Sequence, residues 1–205
     1  FTYTVSPSDG GAVPPGAPRV VASSVNITDS YTNSSGADVL ITYTITPFNS
    51  ANPTCGGAPF TYVVTIRSLP VGAGSVEAAI CSRQAFSINP QGNITNGVTS
   101  TFAWTATFDL GLSGPLSGTG VISGSLTNNT TGVKNAYYQI TPTNGICNGV
   151  PFDGIPFTIT LPVKPEPVID TSVTPRTICS DIPTNITFLP LAGSETPDSY
   201  DISLI

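Results

Sequence analysis

A translation of roughly 96 residues lays this chain over itself, and no other feature restricts its fold as much. Tyr43-Thr44-Ile45-Thr46-Pro47 returns as Tyr138-Gln139-Ile140-Thr141-Pro142, a step of 95 (138 − 43). Cys55 returns as Cys147 after 92 residues, Phe60-Thr61 as Phe157-Thr158 after 97, and Ile80-Cys81-Ser82 as Ile178-Cys179-Ser180 after 98. A weaker series, FTYTV from Phe1, FAWTA from Phe102 and YDISL from Tyr200, steps by 101 and then by 98. In 205 residues such a unit fits once whole, between two incomplete copies. The proline-rich joints SLPVG (68–72) and PVKPEPV (162–168) place the divisions, because proline stiffens a short linker and ends a strand. The expected organisation is a partial β-sandwich repeat over 1–68 that lacks its first strands, a complete one over 69–166, and a partial one over 167–205 with first strands only. The chain reads as an excerpt from a longer array with its export signal and anchor elsewhere. Phe1 opens a strand pattern rather than a signal peptide, and no run approaches the ~20 apolar residues of a membrane span.

Composition says what each repeat is made of. Gly and Pro number 20 each, Met is absent, and Thr and Ser total 51 (29 and 22), a mixture that opposes helix and favours short strands with hydroxylated outer faces. In the central repeat, period-two alternation marks SVEAAI weakly, then AFSIN, STFAWTATF, TGVISGSLT, NAYYQIT and PFTITL clearly. Phe102, Trp104 and Ala106 are expected to face inward while Thr101, Ala103 and Thr105 face out; Tyr138 shares a face with Ile140, and Phe157 with Ile159 and Leu161. The fold class is all-β: tandem antiparallel β-sandwiches with a core Trp, each close in size to an immunoglobulin-like domain.

The cysteines do not follow the Cys…Trp…Cys spacing of antibody domains. Cys81 falls in the turn after the first strand and Cys147 in the hairpin between the last two. In a Greek-key sandwich those loops lie at opposite ends, about 25 Å apart for a strand of ~8 residues, whereas a disulfide spans roughly 4.4 to 6.8 Å between Cα atoms. The expectation is therefore that Cys55, Cys81, Cys147 and Cys179 bridge between repeats, across the joints. A Cys81–Cys147 bridge within one repeat is the alternative and would mean a different strand order; free thiols are the third option.

Little chemistry is on offer. A net charge of −6 with two Lys and four Arg leaves no basic stripe, which excludes nucleic acid and anionic membrane surfaces as partners. Without His, the usual triads and metal centres are absent, and the nearest cysteines stand 26 apart (81 − 55), far from a C-x-x-C zinc cluster. Asp198 and Asp201 are the closest pair of aspartates, while Asp9-Gly10 and Asp153-Gly154 read as turns. No catalytic, metal or cofactor residue is assigned, and the chain is not expected to be an enzyme; calcium is the one cofactor left open. Six Asn-x-Ser/Thr triplets start at Asn26, Asn33, Asn93, Asn128, Asn129 and Asn185 and say little about glycosylation at this Asn and Ser/Thr content. Tyr31, Phe48 and Tyr62 are open to sugar stacking or to packing. The hairpin PTNGICNGVPFDG offers Asn144, Asn148, Phe152 and Asp153 as a surface-contact loop, or as filling against a neighbouring repeat.

At ITYTITP…NPTCGGAPFTYVVTI, YYQITPTNGICNGVPFDGIPFTITLPVKPEPV and the paired ICS motifs, the chain resembles the PKD-like and immunoglobulin-like tandem repeats of giant cell-surface adhesins in Bacteroidetes, best known from gliding motility. The resemblance covers essentially the whole chain. It implies a non-catalytic structural repeat in a long extracellular filament or stalk, secreted by the type 9 system, displayed on the outer membrane, and spacing an adhesive region from the cell. It also implies export and motility machinery as partners, besides neighbouring repeats and an external polysaccharide or surface ligand. A carbohydrate- or surface-binding sandwich module is the alternative function, and a subunit whose incomplete ends are completed by strand addition from neighbouring chains is a third.

Overall fold

The structure, a computed structural model, describes residues 2–7, 26–49, 52–170, 177–192, 194, 196–197 and 199–203; the Asp9-Gly10 turn and Asp198 fall outside them. Among the described residues there is no α-helix, only a 3-10 turn at Pro90–Asn93, and the rest of the regular structure is strand. No helix of the described residues is long and apolar enough to cross a membrane. Two compact units partition the chain: Phe1–Ala73 with Gln91–Phe102 and Thr141–Pro156, and Gly74–Pro90 with Ala103–Ile140 and Phe157–Ile205.

The first unit contains β1 (Thr2–Pro7), β2 (Val39–Thr46), β3 (Phe48–Asn49), β4 (Asn52–Gly56) and β5 (Phe60–Ile66). β1, β2 and β5 form an antiparallel sheet in that order, and β3 pairs with β4 as a hairpin. Alternation along β2 places Val39, Ile41 and Tyr43 on one face, where they close over Tyr3 as the core. The tyrosines satisfy their polar ends locally. Tyr43 Oη–H donates to Tyr31 Oη at 2.8 Å, and Tyr3 Oη–H to Asp29 Oδ2 at 3.2 Å. Burial, and then the bond to Tyr31, hold the Tyr43 phenol well above its ordinary range.

Most of the chain from Gly74 onward builds the second unit, which follows the sandwich plan. The strands from Ser75 onward are β6 (Ser75–Val76), β7 (Ile80–Cys81), β8 (Ala85–Ile88), β9 (Thr101–Phe108), β10 (Leu112–Ser113), β11 (Ser117–Thr119), β12 (Ile122–Ser125), β13 (Thr127–Asn128), β14 (Lys134–Cys147), β15 (Val150–Asp153) and β16 (Phe157–Lys164). β15, the start of β9 and the end of β14 fall within the first unit. One sheet runs β11-β9-β14-β16, with β6 and β7 on its outer edge. β8 and β12 form the facing layer, from which Phe86 packs on Tyr138 at 6.2 Å between ring centroids. The expected alternation holds on β9, where Phe102, Trp104 and Ala106 are buried, and on β16, where Phe157, Ile159, Leu161 and Val163 are.

Three details differ from the sequence reading. SVEAAI is not one strand but two short ones, β6 and β7, and both run parallel to β16. The chain then crosses to the facing layer through the turn closed by Gln84 N–H donating to Cys81 O at 3.1 Å, and Arg83 takes φ 62° to make it. TGVISGSLT is divided among β11, β12 and β13, and Gly120 makes the first of these turns, between β11 and β12, at φ 70°. β16 continues past Pro162 to Lys164: Pro162 stands opposite Asn135 and does not end the strand.

Tyr138 is fully buried, and its hydroxyl has no hydrogen-bond partner among the described residues. Burial pushes its pKa up from 10.0 to about 12. The unfolded chain therefore loses this proton first, so the associated stability is complete below pH 10 and falls as pH rises from 10 to about 12. Tyr138→Phe is expected to be neutral or stabilising by up to about 1 kcal/mol at neutral pH, since it removes a desolvated hydroxyl. It should also flatten the loss above pH 10 in urea titrations followed by the single Trp. An unchanged alkaline slope would refute the assignment.

Candidate functional site

Two of the six Asn-x-Ser/Thr triplets build the same structure 95 residues apart (128 − 33). Asn33 Nδ2 donates to Ala37 O at 2.7 Å and Ile66 O at 2.8 Å, while its Oδ1 accepts from Ser35 N at 3.0 Å and Ser35 Oγ at 2.7 Å. Asn128 Nδ2 donates to Gly132 O at 2.9 Å and Val163 O at 2.8 Å, and its Oδ1 accepts from Thr130 N at 3.0 Å and Thr130 Oγ1 at 2.7 Å. A primary amide offers two donors and two lone pairs, and here all four are used. Both side chains are accordingly buried, at 2% and 4% exposure. The hydroxyl at the third position closes the turn, so Ser or Thr is required for the lock and not only for a sugar. One lock ties the loop before β2 to β5, and the other ties the loop before β14 to β16.

A further buried group belongs to the second lock. Ser82 Oγ accepts from Asn128 N at 3.0 Å and faces Glu166 Oε1 at 3.3 Å; Glu166 also pairs with Arg83 Nε at 2.8 Å. The ion pair lies at the surface and contributes little.

The joint SLPVG is sealed, not a solvated linker. Ser68 is 2% exposed and Pro70 is fully buried. Ser68 N–H donates to Asp38 Oδ1 at 3.0 Å, and Ser68 Oγ accepts from Gly36 N at 3.0 Å. Leu69 N–H donates to Asn33 O at 2.6 Å, which connects the joint to the first lock. Asn96, from the Gln91–Phe102 segment of the same unit, closes it: Nδ2 donates to Leu69 O at 2.8 Å and Ser34 O at 3.2 Å, and Oδ1 accepts from Val71 N at 3.2 Å. Asn144 Nδ2 adds a bond to Ser68 O at 3.1 Å. Gly36 has φ 89°, and a Cβ there would meet the Asn96 carbonyl oxygen, so a side chain at 36 would force the joint apart.

The residues of the expected contact loop therefore take different positions. Asn144 is spent on the joint, and Asp153 Oδ1 accepts from Thr143 Oγ1 at 2.7 Å. Asn148 (φ 53°) and Gly149 (φ 80°) form the hairpin tip, and Phe152 is half-buried. Ile146 and Val150 beside the tip are exposed. The hairpins close alike, with Gly57 N–H on Pro47 O at 2.8 Å and Gly154 N–H on Pro142 O at 2.7 Å. The second is two residues longer, 12 against 10 (154 − 142 and 57 − 47). As a result Cys55 lies on the returning strand β4 and Cys147 at the end of the outgoing strand β14: same hairpin, different strand. All four cysteines are exposed and free in the structure, and Cys81 stands opposite Lys164. Tyr62 and Phe48 are exposed, whereas Tyr31 is half-buried. No group of three or more His, Cys, Asp or Glu able to hold a metal occurs among the described residues.

The locks and Asn96 were not singled out from sequence. The signal for the locks was present: two of the six triplets repeat at the same step of 95 as the YTITP landmark, and the others do not. Asn96 has no such signal, being one of 13 Asn.

Two segments of the chain, 1–70 and 78–167, match the sequence profile of a family described as PKD-like domain. No curated protein matches the chain.

Proposed function

Because the chain belongs to the PKD-like domain family, we propose that it serves as a run of non-catalytic repeats, divided at 68/69 and 166/167, in an extracellular adhesin. The repeats space an adhesive region from the cell surface and transmit load along the chain. The observation that carries this reading is the sealed joint: a linker with a buried Ser68 and Pro70, clamped by bonds to Asp38 and Asn96, fits transmission of force better than free pivoting. The buried amide locks support it, since each pins the last strand of a repeat where load would enter. Outer-membrane display, type 9 export and a part in gliding follow from the resemblance to adhesin repeats and belong to the proposal. So do cross-joint disulfides, which the exposed thiols leave room for.

Asn96→Ala tests it. Removing the clamp is expected to speed hydrogen exchange at the Val71 amide by about tenfold, equivalent to roughly 1.4 kcal/mol for a lost hydrogen bond. Exchange in the β9–β14–β16 core should not change. Unchanged exchange at Val71 would mean that the joint is not held by Asn96. The exposed Tyr62 favours a second reading, a carbohydrate-binding module; the same protein on a glycan array is expected to bind nothing, and a hit lost on Tyr62→Ala would replace the spacer reading.

A further inference from the structure

Three Asn-Gly steps occur in the chain, Asn96-Gly97, Asn144-Gly145 and Asn148-Gly149, and two of them begin with the asparagines that hold the SLPVG joint. Asparagine is a chemically labile residue, and glycine after it makes it more so. With no Cβ, the glycine puts nothing between its own amide nitrogen and the preceding Cγ, so the nitrogen can close on that carbon and expel ammonia.

The three steps differ in what holds the carboxamide. Asn148 stands exposed at the hairpin tip, and its side chain makes no hydrogen bond among the described residues. Asn144 is half-buried and makes one, to Ser68 O at 3.1 Å. Asn96 is half-buried and makes three, to Leu69 O, Ser34 O and the Val71 amide, which occupy both donors and one lone pair. Ring closure turns the carboxamide out of this place, so those bonds have to break first. Gly97 adds no obstacle: it is exposed, with φ 73°, and nothing lies within 4 Å of where a Cβ would stand. What protects Asn96 is therefore the closed joint itself.

We propose that Asn96 is a deamidation site gated by the joint: protected while the joint is closed, reactive when it opens, and unable to close it again afterwards. In the reaction the Gly97 amide nitrogen gives its proton to solvent and bonds to Asn96 Cγ; the Cγ–Nδ2 bond breaks, and Nδ2 leaves as ammonia with a proton from water. Water then adds to either carbonyl of the five-membered imide and opens it to an aspartate or an isoaspartate. Nothing is oxidised or reduced, and water is the one co-reactant. The product is an acceptor where the clamp needs a donor. Carboxylate oxygens facing Leu69 O and Ser34 O would leave both carbonyls opposite a negative charge with no hydrogen between them. Opening of the joint thus becomes permanent. The inference rests on the clamp at the joint and not on the adhesin role, so it can fail while the spacer reading stands.

Ageing the 205-residue chain in mildly alkaline buffer, with peptide mapping by mass spectrometry and fragment-ion assignment, tests it. Asn148 is expected to deamidate first, Asn144 next, and Asn96 at least about tenfold more slowly than Asn148, a factor that one retained hydrogen bond supplies. In strong urea the three rates should converge, because the dipeptide is the same. Gly36→Ala, which sets a methyl against the Asn96 carbonyl oxygen, should raise the Asn96 rate towards that of Asn148 and leave Asn148 unchanged. Asn96→Asp should speed hydrogen exchange at the Val71 amide by about tenfold, as Asn96→Ala does, with the β9–β14–β16 core unchanged. Asn96 keeping pace with Asn148 in the native chain overturns the proposal. So does a lag at Asn96 that persists in urea, which would place its cause in the flanking sequence. So does native exchange at Val71 in Asn96→Asp when Asn96→Ala accelerates it, which would mean that a carboxylate fits the clamp and that the clamp stands without the gate.

Discussion

Asn128→Ala is expected to destabilise the second unit by about 3–4 kcal/mol, because buried groups left without partners cost about 1–3 kcal/mol each and the substitution strands several at once. The Val163 carbonyl is the worst placed of these, being inside the sheet with no water to replace the amide; Gly132 O and the Thr130 donors lie nearer the surface. Trp104 is the only Trp and lies in this unit, so its fluorescence reports the transition directly. With a urea slope of about 2 kcal/mol per molar, the midpoint should fall by roughly 1.5–2 M. Asn33→Ala has the same chemistry in the first unit and should cost about as much there, read by circular dichroism. Asn129→Ala is the control: the residue is exposed and part of an identical kind of triplet, and the change should stay within about 0.5 kcal/mol. Equal effects at 128 and 129 would show that the lock contributes nothing.

Gly118→Val is expected to cost about 3 kcal/mol or more, at the upper end for overpacking. A Cβ at 118 would stand 2.5 Å from Cζ2 and 2.9 Å from Cε2 of Trp104, across the β11–β9 pairing that sets Gly118 opposite Trp104. The indole has nowhere to retreat, since Tyr138 meets it edge-on at 5.6 Å. The collision is with a rigid ring and not with the end of a flexible chain. Trp104→Ala by itself should cost about 3–5 kcal/mol through the cavity it leaves. In that background Gly118→Val should cost less than about 1 kcal/mol, because the added methyls then fill space. Thermal unfolding by circular dichroism closes the cycle. Equal costs for Gly118→Val in the two backgrounds would place the origin in the β11 backbone and not in the ring.

Much of the architecture was readable, for a physical reason. A strand with one face in a core must alternate, and TFAWTATF and PFTITLPV do so without interruption; two copies of each landmark then fixed the period. What escaped detection was whatever depends on pairing instead of patterning. SVEAAI is too short and irregular in its alternation to show that it lies parallel to β16, and Pro162 looks like a strand end although it stands opposite Asn135 within β16. The cysteines were matched correctly to one hairpin but not to one strand, since a two-residue difference in loop length is invisible at the level of spacing. The joint was read as a stiff linker from its proline; that it is buried depends on Asn96 and Asn144, whose amides look like any loop asparagine. Serine, threonine and asparagine are ambiguous in this way because the same groups are at home in water and in a saturated turn.

The locks have a consequence for how the protein is made. A host that attaches sugars to Asn-x-Ser/Thr while the chain is still emerging would modify the nitrogen that Asn33 and Asn128 later need for Ile66 and Val163. The bulky glycan would then occupy a place that folding must bury. Secretion through a eukaryotic glycosylating pathway should therefore yield misfolded material from these two positions alone, whereas a bacterial cytoplasm presents no such hazard.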